Sequence, residues 1–169
     1  MTNLAIALIL SISVITDLRN RKILNIVTLP AIFVAIIYHF FTTGMEGFLF
    51  SGQGFLVGLG LLFIPFLLGG IGAGDVKLLA AIGAWSGTIF VLYTGIYAGI
   101  MGGLIAMFIL IKRKQLRFTI TNMLTTAVSL KGTKGSLHMK EETNQVLSIP
   151  YAIPIAIGAM LTILMETLL

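Results

Sequence analysis

Apolar residues run along this chain in long blocks separated by short polar or glycine-rich breaks, with no two-residue alternation and no narrow helical stripe. Blocks at 2–16, 23–41, 48–68, 75–87, 88–111 and 146–168 are the candidates for membrane-spanning helices, with Pro30 in the second, Pro65 in the third, and Pro150 and Pro154 near the start of the last. A bilayer's hydrocarbon core takes about 20 residues of helix, and about 17 are tolerated. The pattern therefore predicts an all-α, polytopic membrane protein with six transmembrane helices. The fourth block is short: from Asp75 to Gly87 is about a dozen residues, or about 18 Å of helix. Either its turn lies later, near Thr94-Gly95, or Asp75 starts a short helix below the membrane surface. The second reading is preferred, because Trp85-Ser86-Gly87-Thr88 has the make-up of a turn with an interfacial aromatic.

The first block is read as a spanning helix and not as a removed signal. It has no basic leading region, and the flank that follows, Asp17-Leu18-Arg19-Asn20-Arg21-Lys22, offers no small-residue cleavage site. With six passes and both termini outside, the cytosolic segments are 17–22, 69–77 and 112–145, and these hold all 11 lysines and arginines. Basic residues concentrate on the cytoplasmic side of membrane proteins, so the orientation follows directly. The segment 112–145 is the one long polar stretch. Within it Leu116, Ile120, Met123, Leu124, Ala127 and Val128 recur at helical spacing behind a basic run, which predicts an amphipathic helix on the anionic inner leaflet. The expectation is a single membrane-embedded domain over 1–169, with 112–145 as its cytosolic loop.

Composition supports this picture. Of 169 residues, 57% are hydrophobic and 10% charged, against about 25% charged in soluble domains, and mean hydropathy is +1.06. A water-soluble globule, a disordered tail and a fibrous chain are excluded. There is no cysteine, hence no disulfide, no thiolate metal site and no thiol nucleophile. The two histidines, His39 and His138, lie in different segments, so a multi-histidine metal site is not expected. His39 is read as an interfacial residue near the outer side, and His138 as a solvated loop residue. The net charge of +5 is accounted for by cytosolic loops and does not call for a nucleic-acid partner. Among the 19 glycines, Gly54, Gly58 and Gly60, and Gly95, Gly99, Gly102 and Gly103, are spaced for close helix approach.

Of the six acids, Glu46, Glu141, Glu142 and Glu166 fall in loops or at an end, whereas Asp17 and Asp75 each stand where an apolar block meets a cytosolic segment. An acid at membrane depth is costly and marks function by default. The structural alternative is that Asp17 pairs with Arg21 one turn on, and that Asp75 caps the fourth helix. Two such acids on one face, one framed as Gly72-Ala73-Gly74-Asp75-Val76-Lys77, favour chemistry. Gly72 and Gly74 leave room for the loop to bend and to lie close to an extended peptide. Two carboxylates held together share one proton; the ionised member can take a proton from water while the protonated one polarises a peptide carbonyl. That is the chemistry of an aspartyl protease. Lys77 is a supporting candidate, either easing the charge of Asp75 or, the preferred reading, anchoring its helix at the lipid surface.

These residues resemble type IV prepilin peptidases and archaeal preflagellin peptidases, the GxGD-type intramembrane aspartyl proteases. The resemblance rests on three blocks in order: Thr16-Asp17-Leu18-Arg19-Asn20-Arg21-Lys22-Ile23-Leu24-Asn25, then Gly72-Ala73-Gly74-Asp75-Val76-Lys77-Leu78-Leu79 with Ala81-Ile82-Gly83-Ala84-Trp85, and Ile149-Pro150-Tyr151-Ala152-Ile153-Pro154-Ile155-Ala156-Ile157-Gly158. It implies that Asp17 and Asp75 are the catalytic pair and that Gly72 and Gly74 shape the active loop. The implied substrates are prepilin-like or preflagellin-like membrane proteins, cut between a short basic leader and a hydrophobic helix at the cytosolic face of the cell membrane. Two departures stand out. The family often has Ile-Pro-Asn where this chain has Ile23-Leu24-Asn25, and the cysteine-containing methylation segment of the long bacterial enzymes is missing, which suggests the short, peptidase-only form with no cofactor and no metal. The competing function is a small ion- or proton-coupled transporter using the same acids; a third reading is a membrane scaffold whose glycines serve packing alone. Oligomeric state is left open.

Overall fold

The computed structural model describes residues 2–112 and 151–168. The described residues are all-helical: α1 (Thr2–Asn20), α2 (Asn25–Thr43), α3 (Met45–Leu67), α4 (Ala73–Lys112) and α5 (Ala152–Leu168). Four of these, α1 to α4, are long and apolar enough to cross a membrane, and α5 is an apolar helix of 17 residues. The chain thus has the build of a multi-pass membrane protein. Residues 2–102 and 151–168 pack as one compact unit, and 103–112 belong to a second. The amphipathic helix expected within 112–145, and His138, lie outside the described residues.

The turn expected at Trp85–Thr88 is present. Gly87 sits at φ 80°, ψ −178° inside α4, a backbone region open essentially to glycine alone. The two limbs of α4, 73–86 and 88–102, fold against each other there. A Cβ built on Gly83 stands 3.3 Å from Val91 Cγ1, and one on Gly95 stands 3.5 Å from Leu79 Cδ2. In a straight helix, residues 79 and 95 would be about 24 Å apart. Both pairs are symmetric about Gly87, so the limbs run antiparallel and the alternative turn near Thr94-Gly95 does not form. The first limb is about 21 Å long, close to the length expected for a helix starting at Asp75.

This first limb is the centre of the bundle. Leu78, Leu79, Ala80, Ala81, Ile82 and Ala84 are all fully buried, as expected of a helix apolar on every side. Close approach is made by glycine. A Cβ on Gly54 of α3 would run into the Gly83 carbonyl, and one on Gly58 would lie 2.9 Å from the Ala80 Cα. On the other limb, a Cβ on Gly158 of α5 would lie 2.6 Å from the Thr94 carbonyl. Helices without a hydrophobic drive between them associate through such backbone contact. Gly60, Gly99 and Gly103 differ from expectation, since nothing lies within 4 Å of a Cβ at any of the three; they face outward. Large apolar side chains such as Ile26, Phe41, Leu56, Ile89 and Met160 are exposed, which suits a surface solvated by lipid.

At the far end of α2, His39 joins an aromatic cluster with Tyr38, Phe50 and Trp85. Its Nε2 lies 3.1 Å from the Trp85 carbonyl, and the Trp85 indole donates to the Ala31 carbonyl at 3.0 Å. These bonds tie α2 to the α4 turn and leave the opposite end of the first limb for the acids.

Candidate active site

Asp17 lies in the last turn of α1 and Asp75 in the first turn of α4. Both are buried, at 6% and 8% exposure, and Asp17 is close enough for its charge to be felt at Asp75. The fold therefore brings together the two acids that the sequence singled out, which lie 58 positions apart in the chain. An ionisable pair at the end of an apolar bundle is expensive to maintain. Two protein groups offset that cost.

The first is the glycine loop. The Gly72 amide donates to Asp75 Oδ2 at 3.2 Å, while the amides of Asp75 and Val76 donate to the Gly72 carbonyl at 3.1 and 3.4 Å. Asp75 thus closes the start of its own helix by reaching back to the residue before it, half of a capping box. The capping alternative for Asp75 is therefore realised, with one carboxylate oxygen engaged in it. A Cβ on Gly72 would stand 3.1 Å from that oxygen. Gly72 and Ala73 are exposed, so the loop is open where it meets Asp75. Gly74 has a different reason: a Cβ there would lie 2.9 Å from the Ile23 Cβ and 3.4 Å from the Ile23 backbone. It lets α4 start flush against the segment joining α1 to α2.

The second group comes from the far end of the chain. The Ala152 amide, the first of α5, donates to Asp17 Oδ2 at 3.2 Å. A helix N-terminus presents free N–H groups and a positive dipole end, so it suits a carboxylate. Asp17 spends its carboxylate here and not on Arg21, whose side chain is exposed and whose backbone takes φ 52°. No spacing rule links position 17 to 152, although the Pro150–Pro154 block pointed to that end of α5.

Tyr151 precedes α5. Its ring lies against Gly102, where a Cβ would come within 2.6 Å of the phenol oxygen. The charge of Asp75 is within reach of this phenol.

Among the described residues Lys77 engages no acid. Its Nζ donates to Asn25 Oδ1 at 2.9 Å, joining the start of α4 to the start of α2. Asn25, missed as a partner from the sequence, is the residue that follows Ile23-Leu24. Leu24 itself is extended at φ −76°, ψ 128°, a conformation open to the proline that the resemblance expects there. Among the described residues no third histidine or acid joins the pair to make a three-ligand cation site.

The model of the type IV leader peptidase family matches residues 4–107. That stretch contains Asp17, Gly72, Gly74, Asp75 and Lys77 and ends before the Tyr151-Ala152 corner. No curated protein and no solved structure matches the chain.

Proposed function

The chain belongs to the type IV leader peptidase family, and from that premise we propose that it is an aspartyl endopeptidase in which Asp17 and Asp75 are the catalytic pair. The observation that carries the proposal is their meeting: two buried carboxylates from separate helices, within electrostatic reach of each other, beside an exposed glycine loop.

The chemistry runs as follows. One carboxylate is ionised and takes a proton from a water molecule as its oxygen attacks the scissile carbonyl carbon. The other, protonated, gives its proton to the carbonyl oxygen. The tetrahedral intermediate then breaks at the C–N bond, and the amine leaves with the proton first taken from water. The Gly72 and Ala152 amides hold one oxygen of each carboxylate. Gly72 and Gly74 shape the loop along which an extended peptide lies.

The substrate is a prepilin-like membrane protein, cut between a short basic leader and its hydrophobic helix at the cytosolic face. Six passes with both termini outside are consistent with the antiparallel limbs of α4, with α5 as the sixth pass, and with the 11 basic residues falling on one side. This orientation puts Asp17 and Asp75 at the inner boundary of the cell membrane.

The test is cleavage of a prepilin-like precursor by the purified chain in detergent. Asp17→Asn and Asp75→Asn are each expected to abolish product while the protein still unfolds cooperatively. Cleavage at the parent rate by either variant removes that residue from the catalytic pair.

A further inference from the structure

The buried face of α1 consists of Ile6, Ile9, Leu10, Ser13 and Asp17, so Ser13 is the one polar neighbour of Asp17 on that face. It is fully buried, at 0% exposure. Its hydroxyl has no hydrogen-bond partner among the described residues. Thr28 Oγ1 on α2 is the other buried hydroxyl without a partner among the described residues, but no acid lies on its helix. Ser11 donates to the Ala7 carbonyl at 2.7 Å, Ser86 to Ile82 at 2.6 Å, and Thr162 to Gly158 at 2.9 Å, each one turn back along its own helix. Ser13 forgoes that bond to the Ile9 carbonyl. A buried hydroxyl left without a partner is costly, so it points to a group that the packing of α1 keeps it for.

Asp17 is that group. Residues four apart stand one above the other on a helix, with Cβ atoms about 6 Å apart, and side chains lean toward the N-terminus. The Asp17 carboxyl therefore leans back over the turn that holds Ser13. Oδ2 of Asp17 takes the Ala152 amide; Oδ1 is the oxygen left for a second donor. A hydroxyl at this spacing reaches a carboxylate directly after a rotamer change, or through one bridging water.

We propose that Ser13 is a positioning residue for Asp17, its hydroxyl donating directly or through one water to Oδ1. With Ala152 on one oxygen and Ser13 on the other, the carboxylate plane is set relative to Asp75. The role rests on the catalytic reading of Asp17. It adds a residue from the interior of α1, which neither the motifs nor the glycine loop contain. Among the described residues, the titratable group within electrostatic reach of Asp17 is Asp75 of α4, and Tyr151 before α5 is within reach of Asp75; Lys77 is turned to Asn25, and α2 carries only Tyr38 and His39 at its far end.

The chain has two aspartates, Asp17 and Asp75, so infrared spectra of protein labelled with carboxyl-13C aspartate contain two side-chain carboxyl signals, and Asp17→Asn assigns them. In Ser13→Ala, the Asp17 signal is expected to shift, kcat for a prepilin-like substrate to fall about tenfold with KM unchanged, and the unfolding temperature not to fall. Ser13→Thr, which keeps the hydroxyl, is expected to restore the parent signal position. An Asp17 signal in Ser13→Ala that superimposes on the parent's overturns the role whatever the activity does. The two readings fail differently: an Asp17→Asn variant that cleaves normally sinks the catalytic pair, whereas an inactive Asp17→Asn with an unmoved signal in Ser13→Ala sinks only the part assigned to Ser13.

Discussion

The Ala152 amide and the Asp17 carboxylate meet at 3.2 Å across 135 positions of chain. Asp17 is at once a proposed catalytic acid and the group on which the start of α5 docks. Substitutions there have two separable effects. Asn keeps an acceptor oxygen in place, and Ala does not. Asp17→Ala is therefore expected to lose about 1 kcal/mol of stability relative to Asp17→Asn, the usual cost of removing a side chain that satisfies a helix N-terminus. Both variants are expected to be inactive. Thermal unfolding of the pair in the same detergent gives the difference; equal midpoints would show that α5 does not depend on this bond.

Gly72 and Gly74 are expected to respond differently to alanine, because their neighbours differ. At Gly74 the methyl group meets the Ile23 side chain and backbone, so Gly74→Ala should lower stability by about 1–3 kcal/mol through overpacking, along with activity. At Gly72 the methyl meets Asp75 Oδ2 at 3.1 Å in an exposed loop. The carboxylate can yield there, at the cost of its bond to the Gly72 amide. Gly72→Ala should cut cleavage severalfold while the unfolding midpoint hardly moves. Paired kcat and midpoint measurements separate the two; a larger stability loss at Gly72 than at Gly74 contradicts this account.

Gly87 carries the reversal of α4. Its φ of 80° with ψ −178° is closed to alanine, and the Phe50 ring occupies the space that a Cβ would need. Backbone strain of about 1–3 kcal/mol adds to the clash. Gly87→Ala is expected to be among the most destabilising single changes in the chain, seen as a midpoint drop or loss of folded yield. A folded variant of parent stability would mean that the limbs do not turn there.

The Lys77 to Asn25 bond is exposed, so its worth is small. Lys77→Ala and Asn25→Ala should each cost about 1 kcal/mol or less, and the double variant should cost less than the sum, since one bond is lost in all three. Cleavage should stay within a few-fold of the parent. Strict additivity, or abolished activity in Lys77→Ala, would mean that Lys77 acts on something other than Asn25.

Much of this molecule is written locally in its sequence. Hydrocarbon length sets the size of each apolar block, so the helices could be placed to within a few residues, and Trp85-Ser86-Gly87-Thr88 marked the α4 turn because only glycine takes its backbone angles. Asp17, Asp75 and the two glycines stood out for a related reason: acids at membrane depth and a flexible break before one of them are each visible within a few positions. Which side of each helix faces inward was not visible. Lipid is as apolar as the bundle interior, so a membrane helix carries almost no patterning to tell the two apart; Gly54 and Gly58 turned in, and Gly60 and Gly99 turned out, from the same sequence signal. Contacts that depend on that choice were decided only by the tertiary structure: the Ala152 amide on Asp17, Lys77 on Asn25, and the Ser13 hydroxyl held in the interior one turn from the carboxylate. Each joins groups through space with no repeat or spacing to announce it, because close packing of glycine-lined backbones, not hydrophobicity, sets how these helices rotate against one another.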